Sequence, residues 1–132
     1  MKYFYCDSCF LITMYQKRCL DILSQYKEQF FIARSQIDAE LLYPADLASL
    51  VEDSLTVIEE TFEIRKKGNE LKTAHSRLSI YDCLGLAFAI IDGYCLVTDD
   101  INLQKAAVKY GVLVKGTLEI FEEFGYRKEK KI

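Results

Sequence analysis

With one proline, six glycines and no tryptophan in 132 residues, the chain has little of the punctuation that marks hinges, linkers or low-complexity segments. No apolar run approaches the roughly 18 to 20 uninterrupted residues that span a bilayer. Basic charge is not in excess: 17 Lys and Arg against 20 Asp and Glu leave a net charge of -3. That excludes nucleic-acid binding by overall attraction and leaves open a metal-mediated contact with phosphate. A single histidine and five cysteines, an odd number scattered through apolar segments, argue against a disulfide framework. The residues at the start run directly into strand pattern and then Asp7. The expectation is a cytoplasmic protein with buried free thiols and no membrane association.

What the chain does have is apolar content, 51% of residues, enough for the core of one domain of ordinary size. Periodicity predicts strands and helices in alternation. A strand over residues 2–7 is followed by a helix from Ser8 to about Lys27, with apolar positions Phe10, Met14, Leu20 and Leu23. A buried strand at 29–33 leads into a short helix that Pro44 interrupts. A helical turn at 46–50 and a strand at 55–59 come next, then one or two helical pieces over 61–74, broken at Gly68-Asn69. The clearest helix, 80–92, stops at Gly93. A strand at 95–97, a helix at 102–110, a strand at 112–114 and a helix at 117–124 complete the pattern, and the tail 127–132 is expected to fray. Such alternation implies an α/β fold with a parallel sheet covered on both faces.

Acidic residues fall at the ends of these elements. Asp7 closes the first strand, Asp99 and Asp100 close the one at 95–97, Glu40 lies on the second helix, and Asp82 is the only charge within residues 80–91. Each has an ordinary structural explanation, because carboxylates are favoured at helix starts and Ser79-x-x-Asp82 resembles a capping box. Together they suggest more: a charge in a buried helix needs a partner, and no Lys or Arg stands at helical spacing within 80–91. A hard dication, Mg2+ or Mn2+, would satisfy all these oxygens at once and support phosphodiester hydrolysis. Ser8 and Thr98 adjoin the acids and can orient a ligand or serve as capping hydroxyls.

Two other readings compete. Cys6-Asp7-Ser8-Cys9 has thioredoxin-like redox spacing, but Asp7 between the thiols would raise their pKa. Cys19, Cys83, Cys95 and the lone His75, a predicted loop residue, do not form a zinc pattern. An inactive binding or scaffold module is the second alternative.

The chain resembles PIN-domain ribonucleases, and within them the VapC-type toxins of prokaryotic toxin–antitoxin pairs. The likeness rests on Tyr5-Cys6-Asp7-Ser8, Glu40, Leu78-Ser79-Ile80-Tyr81-Asp82 opening an alanine-rich helix, and Leu96-Val97-Thr98-Asp99-Asp100-Ile101-Asn102-Leu103. Tyr110-Gly111-Val112 and Lys115-Gly116-Thr117-Leu118 extend it, whereas residues 44–77 match no motif of the family. The resemblance implies a PIN-like three-layer α/β/α fold with a mainly parallel central sheet, and a Mg2+- or Mn2+-dependent endoribonuclease. It makes Asp7, Glu40, Asp82 and Asp100 the metal-binding and catalytic acids, with Asp99 the member whose place is less certain. It further implies RNA as substrate, a homodimer, and an antitoxin partner reaching the acidic pocket. Arg65, Lys66, Lys67, Lys72 and Arg77 are candidates to guide RNA, or form a merely solvated helix face. Tyr3, Tyr5 and Tyr126 are candidates for base stacking, or for core and subunit packing.

Overall fold

The computed structural model describes residues 2–125; Tyr126 and the tail 127–132 lie outside them. Five strands, β1 (Phe4–Cys6), β2 (Phe30–Ala33), β3 (Thr56–Ile58), β4 (Cys95–Val97) and β5 (Val114–Lys115), form one sheet in the order β3-β2-β1-β4-β5. Every pairing is parallel. The helices among the described residues are α1 (Ser8–Gln16), α2 (Leu20–Ser24), α3 (Arg34–Glu40), α4 (Leu47–Ser54), α5 (Phe62–Ala74), α6 (Ile80–Asp92), α7 (Ile101–Lys109) and α8 (Thr117–Ile120). No helix among them is long and apolar enough to cross a membrane.

The order dictates the layers. Right-handed crossovers that step β1→β2→β3 put their helices on one face, and those that step back through β4 to β5 put theirs on the other. Accordingly α1, α2, α4 and α8 pack together on one side, while α6 packs on β1 and β4 from the other, flanked by α5 and α7. The result is a three-layer α/β/α fold. Because β1 is covered twice, Phe4-Tyr5-Cys6 is buried without alternation, as expected of a central parallel strand. Phe4 stacks on Phe30 at 5.0 Å and meets Phe124 edge-on at 5.6 Å on the first face. Tyr5 stacks on Phe88 of α6 at 5.0 Å on the second. Each such pair adds about 0.5–1.5 kcal/mol beyond burial.

The single helix expected from Ser8 to Lys27 is in fact two. Met14 and Leu20 are six residues apart, about 240° around a straight helix, so one helix cannot bury both on the same side. The chain reverses at Arg18, which adopts a left-handed φ of 57°, and α2 restarts with Leu20, Ile22 and Leu23 turned inward. The break expected at Gly68-Asn69 does not occur, and α5 runs through it. Gly68 is needed for contact instead: a Cβ there would sit 2.8 Å from Leu84 Cδ2 of α6. The turn at 46–50 extends to Ser54, the last strand is shifted to Val114–Lys115, and the final helix gives way after Ile120 to a π-turn over Phe121–Gly125.

Candidate functional site

β1 and β4 are neighbours whose chains depart in opposite directions, β1 toward β2 and β4 toward β5. Such a switch point opens a crevice at the carboxyl ends of the strands, where α/β sheets bind ligands. Asp7 follows β1 directly, residues 98–100 follow β4, and the Asp7 amide donates to Val97 O at 2.9 Å across the gap.

Asp7 is buried, and its carboxylate is the hub of the site. Oδ1 accepts from the Ser8 amide at 2.9 Å and from Gln36 Nε2 at 3.4 Å. Oδ2 accepts from Thr98 Oγ1 at 2.8 Å and from the Cys9 thiol at 2.9 Å. Glu40, at the end of α3, is drawn to the same place, since its Oε1 accepts from Ser8 Oγ at 2.8 Å and from Gln36 Nε2 at 3.0 Å. Thr98, fully buried, also accepts the Asp100 amide at 3.1 Å. Ser8 and Thr98 therefore hold the acids rather than cap helices.

Asp100 caps α7, its Oδ1 accepting the Asn102 and Leu103 amides at 2.8 and 3.2 Å. Asp82 closes the capping box of α6: its amide donates to Ser79 Oγ and its Oδ2 accepts the Ser79 amide. Partial burial pushes the Asp82 carboxyl up to about 6, and the nearby charges of Asp7 and Asp100 push in the same direction. Asp82 therefore lies near enough to Asp7 and Asp100 for their charges to act on it. Asp99 stands apart. Its carboxylate turns to the start of α8, with Oδ1 accepting the Thr117 amide at 2.8 Å and Oδ2 the Thr117 hydroxyl, so it fastens the β5–α8 junction to β4.

Among the described residues none of the ion pairs involves Asp7, Glu40, Asp82 or Asp100. Asp82 Oδ1, Asp100 Oδ2 and Glu40 Oε2 accept no hydrogen bond there. No three His, Cys, Asp or Glu side chains among the described residues already form a group that could hold a metal ion. In charge and donor type the set nonetheless fits a hard dication: carboxylate oxygens that accept no hydrogen bond, an Asp82 carboxyl pushed up in part by the charges of Asp7 and Asp100, and no cation paired with the acids among the described residues.

Gln36 went unrecognised in the sequence. It is 1% exposed, accepts from Tyr5 Oη at 2.7 Å and donates to both Asp7 and Glu40, so it joins the core to the site. Its only sequence signal is the i,i+4 spacing to Glu40. Tyr5 is thereby a core residue, its hydroxyl also accepting the Ala33 amide, and no stacking platform for bases. Tyr3 is half-exposed, edge-on to Phe31 at 5.7 Å. Of the basic candidates, Arg65 pairs with Glu60 at 3.2 Å, and Lys72 donates to Ser76 O and Leu78 O at 2.9 and 2.6 Å. Lys66 is exposed beside Phe62, Lys67 is half-buried, and Arg77 is exposed in a cleft against α7.

The redox spacing draws no support from the geometry. Cys6 is fully buried in β1 with its thiol pushed up by burial, and both thiols are free. Cys9 is pushed up to about 11 by burial and the Asp7 charge, opposite to what a reactive thiol needs.

No protein-family model matches the chain, and no curated protein matches it either. Eleven chains of solved structures match. Among them is the crystal structure of PAE2754 from Pyrobaculum aerophilum, with a TM-score of 0.72 over 95% of this chain and 96% of that one, at 16% identity. A likeness at that identity shows a shared fold, carried over essentially the whole length of both chains.

Proposed function

We propose that the protein is a Mg2+- or Mn2+-dependent endoribonuclease of PIN type, with Asp7, Glu40, Asp82 and Asp100 as the acids that hold the ion and serve catalysis. The observation that carries the reading is the placement of Asp7 and Asp100 on either side of the β1/β4 switch point, with Glu40 tied to Asp7 through Ser8 and Gln36. An ion bound there would acidify a coordinated water and offset charge on the phosphoryl oxygens. The chain's own contribution is orientation. Thr98 sets the rotamer of Asp7, Ser8 and Gln36 set that of Glu40, and the amides of Asn102 and Leu103 fix one oxygen of Asp100 so that the other faces away from α7's first turn. The turn of Asp99 toward Thr117 supports Asp100 as the working member of the pair. A cytoplasmic location, a homodimer and an antitoxin partner belong to the same proposal through the toxin resemblance.

One observation favours a different reading: Asp7, Asp82 and Asp100 each also cap a helix, a role a non-catalytic scaffold would keep. Digestion of a mixed-sequence RNA pool separates the two. The enzyme cleaves with Mg2+ or Mn2+, stops in chelator, and loses at least 100-fold as Asp7→Asn or Asp100→Asn while remaining folded. Absence of cleavage with either ion, or cleavage undiminished in Asp7→Asn, overturns the proposal.

A further inference from the structure

Beside the acids lies a cleft of about 360 Å3 between the α5–α6 loop and α7, and its charge is opposite to that of the chain as a whole. Arg77 from the loop and Lys105 and Lys109 from α7 line it together with His75, and none of its lining residues is acidic. Among the described residues none of these three cations takes part in an ion pair, although the chain carries 20 Asp and Glu. Arg34, Arg65 and Lys115, by contrast, are each paired with a carboxylate.

The cleft is held open. The Lys72 ammonium pins the loop from below through Ser76 O and Leu78 O, and the Leu78 amide donates to His75 O at 3.0 Å. His75 Nε2 reaches Tyr110 Oη at 2.8 Å, which ties the loop to the far end of α7. It is also contiguous with the acidic site. Asn102, which lines it, donates its amide to Asp100 Oδ1, and Leu78, at its other wall, directly precedes the Ser79–Asp82 capping box. Lys105 and Lys109 are one turn apart on one face of α7, about 6 Å along the axis, a repeat suited to successive phosphates of an extended strand. A strand lying on them would run along α7 toward its amino end, where Asp100 stands.

We infer that this cleft binds the phosphate backbone of single-stranded RNA, with Arg77, Lys105 and Lys109 each contacting a phosphate and leading the strand to the acidic crevice. The inference rests on the nuclease reading for the identity of the strand, and it concerns a surface that reading does not require. Lys105 and Lys109 set two charges one turn apart along α7, with Arg77 on the facing wall, which matches successive phosphates of a strand better than a single anion.

The test is binding of a fluorescent 12-nucleotide single-stranded RNA in chelator, where cleavage is silent. It uses the full chain and a triple variant, Arg77→Gln, Lys105→Gln, Lys109→Gln. A charge-matched control, Lys2→Gln, Lys17→Gln, Lys27→Gln, removes three exposed cations from the amino edge of the sheet. The triple variant should bind at least tenfold more weakly, and its log K against log salt should flatten by about 2, from roughly 0.7 per lost phosphate contact. The control should change binding by less than threefold. Equal losses in both variants, unchanged binding in the triple variant, or no RNA binding by the full chain overturns the assignment. Cleavage in Mg2+ or Mn2+ is scored separately. Weakened binding without cleavage by the full chain would sink the nuclease reading and keep the cleft; cleavage with unaltered binding and rate in the triple variant would do the reverse.

Discussion

Thr98 is the residue through which the two sides of the crevice are joined, its hydroxyl donating to Asp7 Oδ2 while accepting the Asp100 amide. Thr98→Val keeps the shape and removes both bonds, leaving Asp7 Oδ2 with the weak Cys9 thiol donor alone and the Asp100 amide without its acceptor. The expected loss is about 1–3 kcal/mol in urea denaturation, with Thr98→Ser recovering most of it. An unchanged midpoint in Thr98→Val would show that the hydroxyl does not organise the site. Asp82 yields a prediction of opposite sign. Its folded-state pKa, about 6, lies above the ordinary 3.8, so its contribution is fully present below pH 3.8 and is lost as pH rises through 6. In chelator, Asp82→Asn should therefore be more stable than the native chain at pH 7.5, by about 1 kcal/mol once solvent screening is allowed for. The gain should vanish near pH 4, because Asn can still accept the Ser79 amide. Thermal melts at the two pH values check this, and a gain that persists at pH 4 would assign the effect to something other than charge.

At the scale of the element, the α5–α6 pair depends on the absence of a side chain at Gly68. An exposed helical glycine is improved by substitution, whereas this one abuts Leu84, so Gly68→Val must displace the leucine or part the helices. The expected destabilisation is about 1–3 kcal/mol by urea titration; a neutral or stabilising result would mean the two helices have room to spare. The same glycine marks the limit of what the sequence showed. Periodicity and caps gave the order of strands and helices and the acids at their ends, because those signals are local. A glycine reads alike whether it breaks a helix or admits a neighbour, and only the packing of α5 on α6 decides. The α1–α2 reversal was legible in principle, from the six-residue gap between Met14 and Leu20, but its left-handed residue is Arg18, not a glycine. Gln36 and the face shared by Lys105 and Lys109 stayed hidden for a related reason: their roles arise from what a distant segment places opposite them.

At the scale of the fold, charge is distributed unevenly: among the described residues the carboxylates at the crevice and the cations in the adjoining cleft take part in no ion pair. Assembling like charges costs stability in the folded state, and the unfolded chain, which separates them, does not bear that cost. A cation that binds only the folded chain must then stabilise it, by RT ln(1 + [L]/Kd), about 2.7 kcal/mol at a hundredfold excess over Kd. Mn2+ should accordingly raise the melting temperature by several degrees for a chain of this size, and chelator should reverse the rise. Protons compete for the same oxygens, and Asp82 holds its proton up to about pH 6, so the rise should be large at pH 7.5 and small at pH 5. Asp100→Asn should abolish most of it while Asp99→Asn leaves it intact, since the charge of Asp100 acts on Asp82 whereas both oxygens of Asp99 are taken up by Thr117. Asp99→Asn has its own signature, a lower melting temperature with and without metal, because the anchor of α8 on β4 is weakened. A Mn2+ shift of equal size in Asp7→Asn, Asp100→Asn and the native chain would mean that the ion binds elsewhere, and the acids at the switch point would then be no more than helix caps.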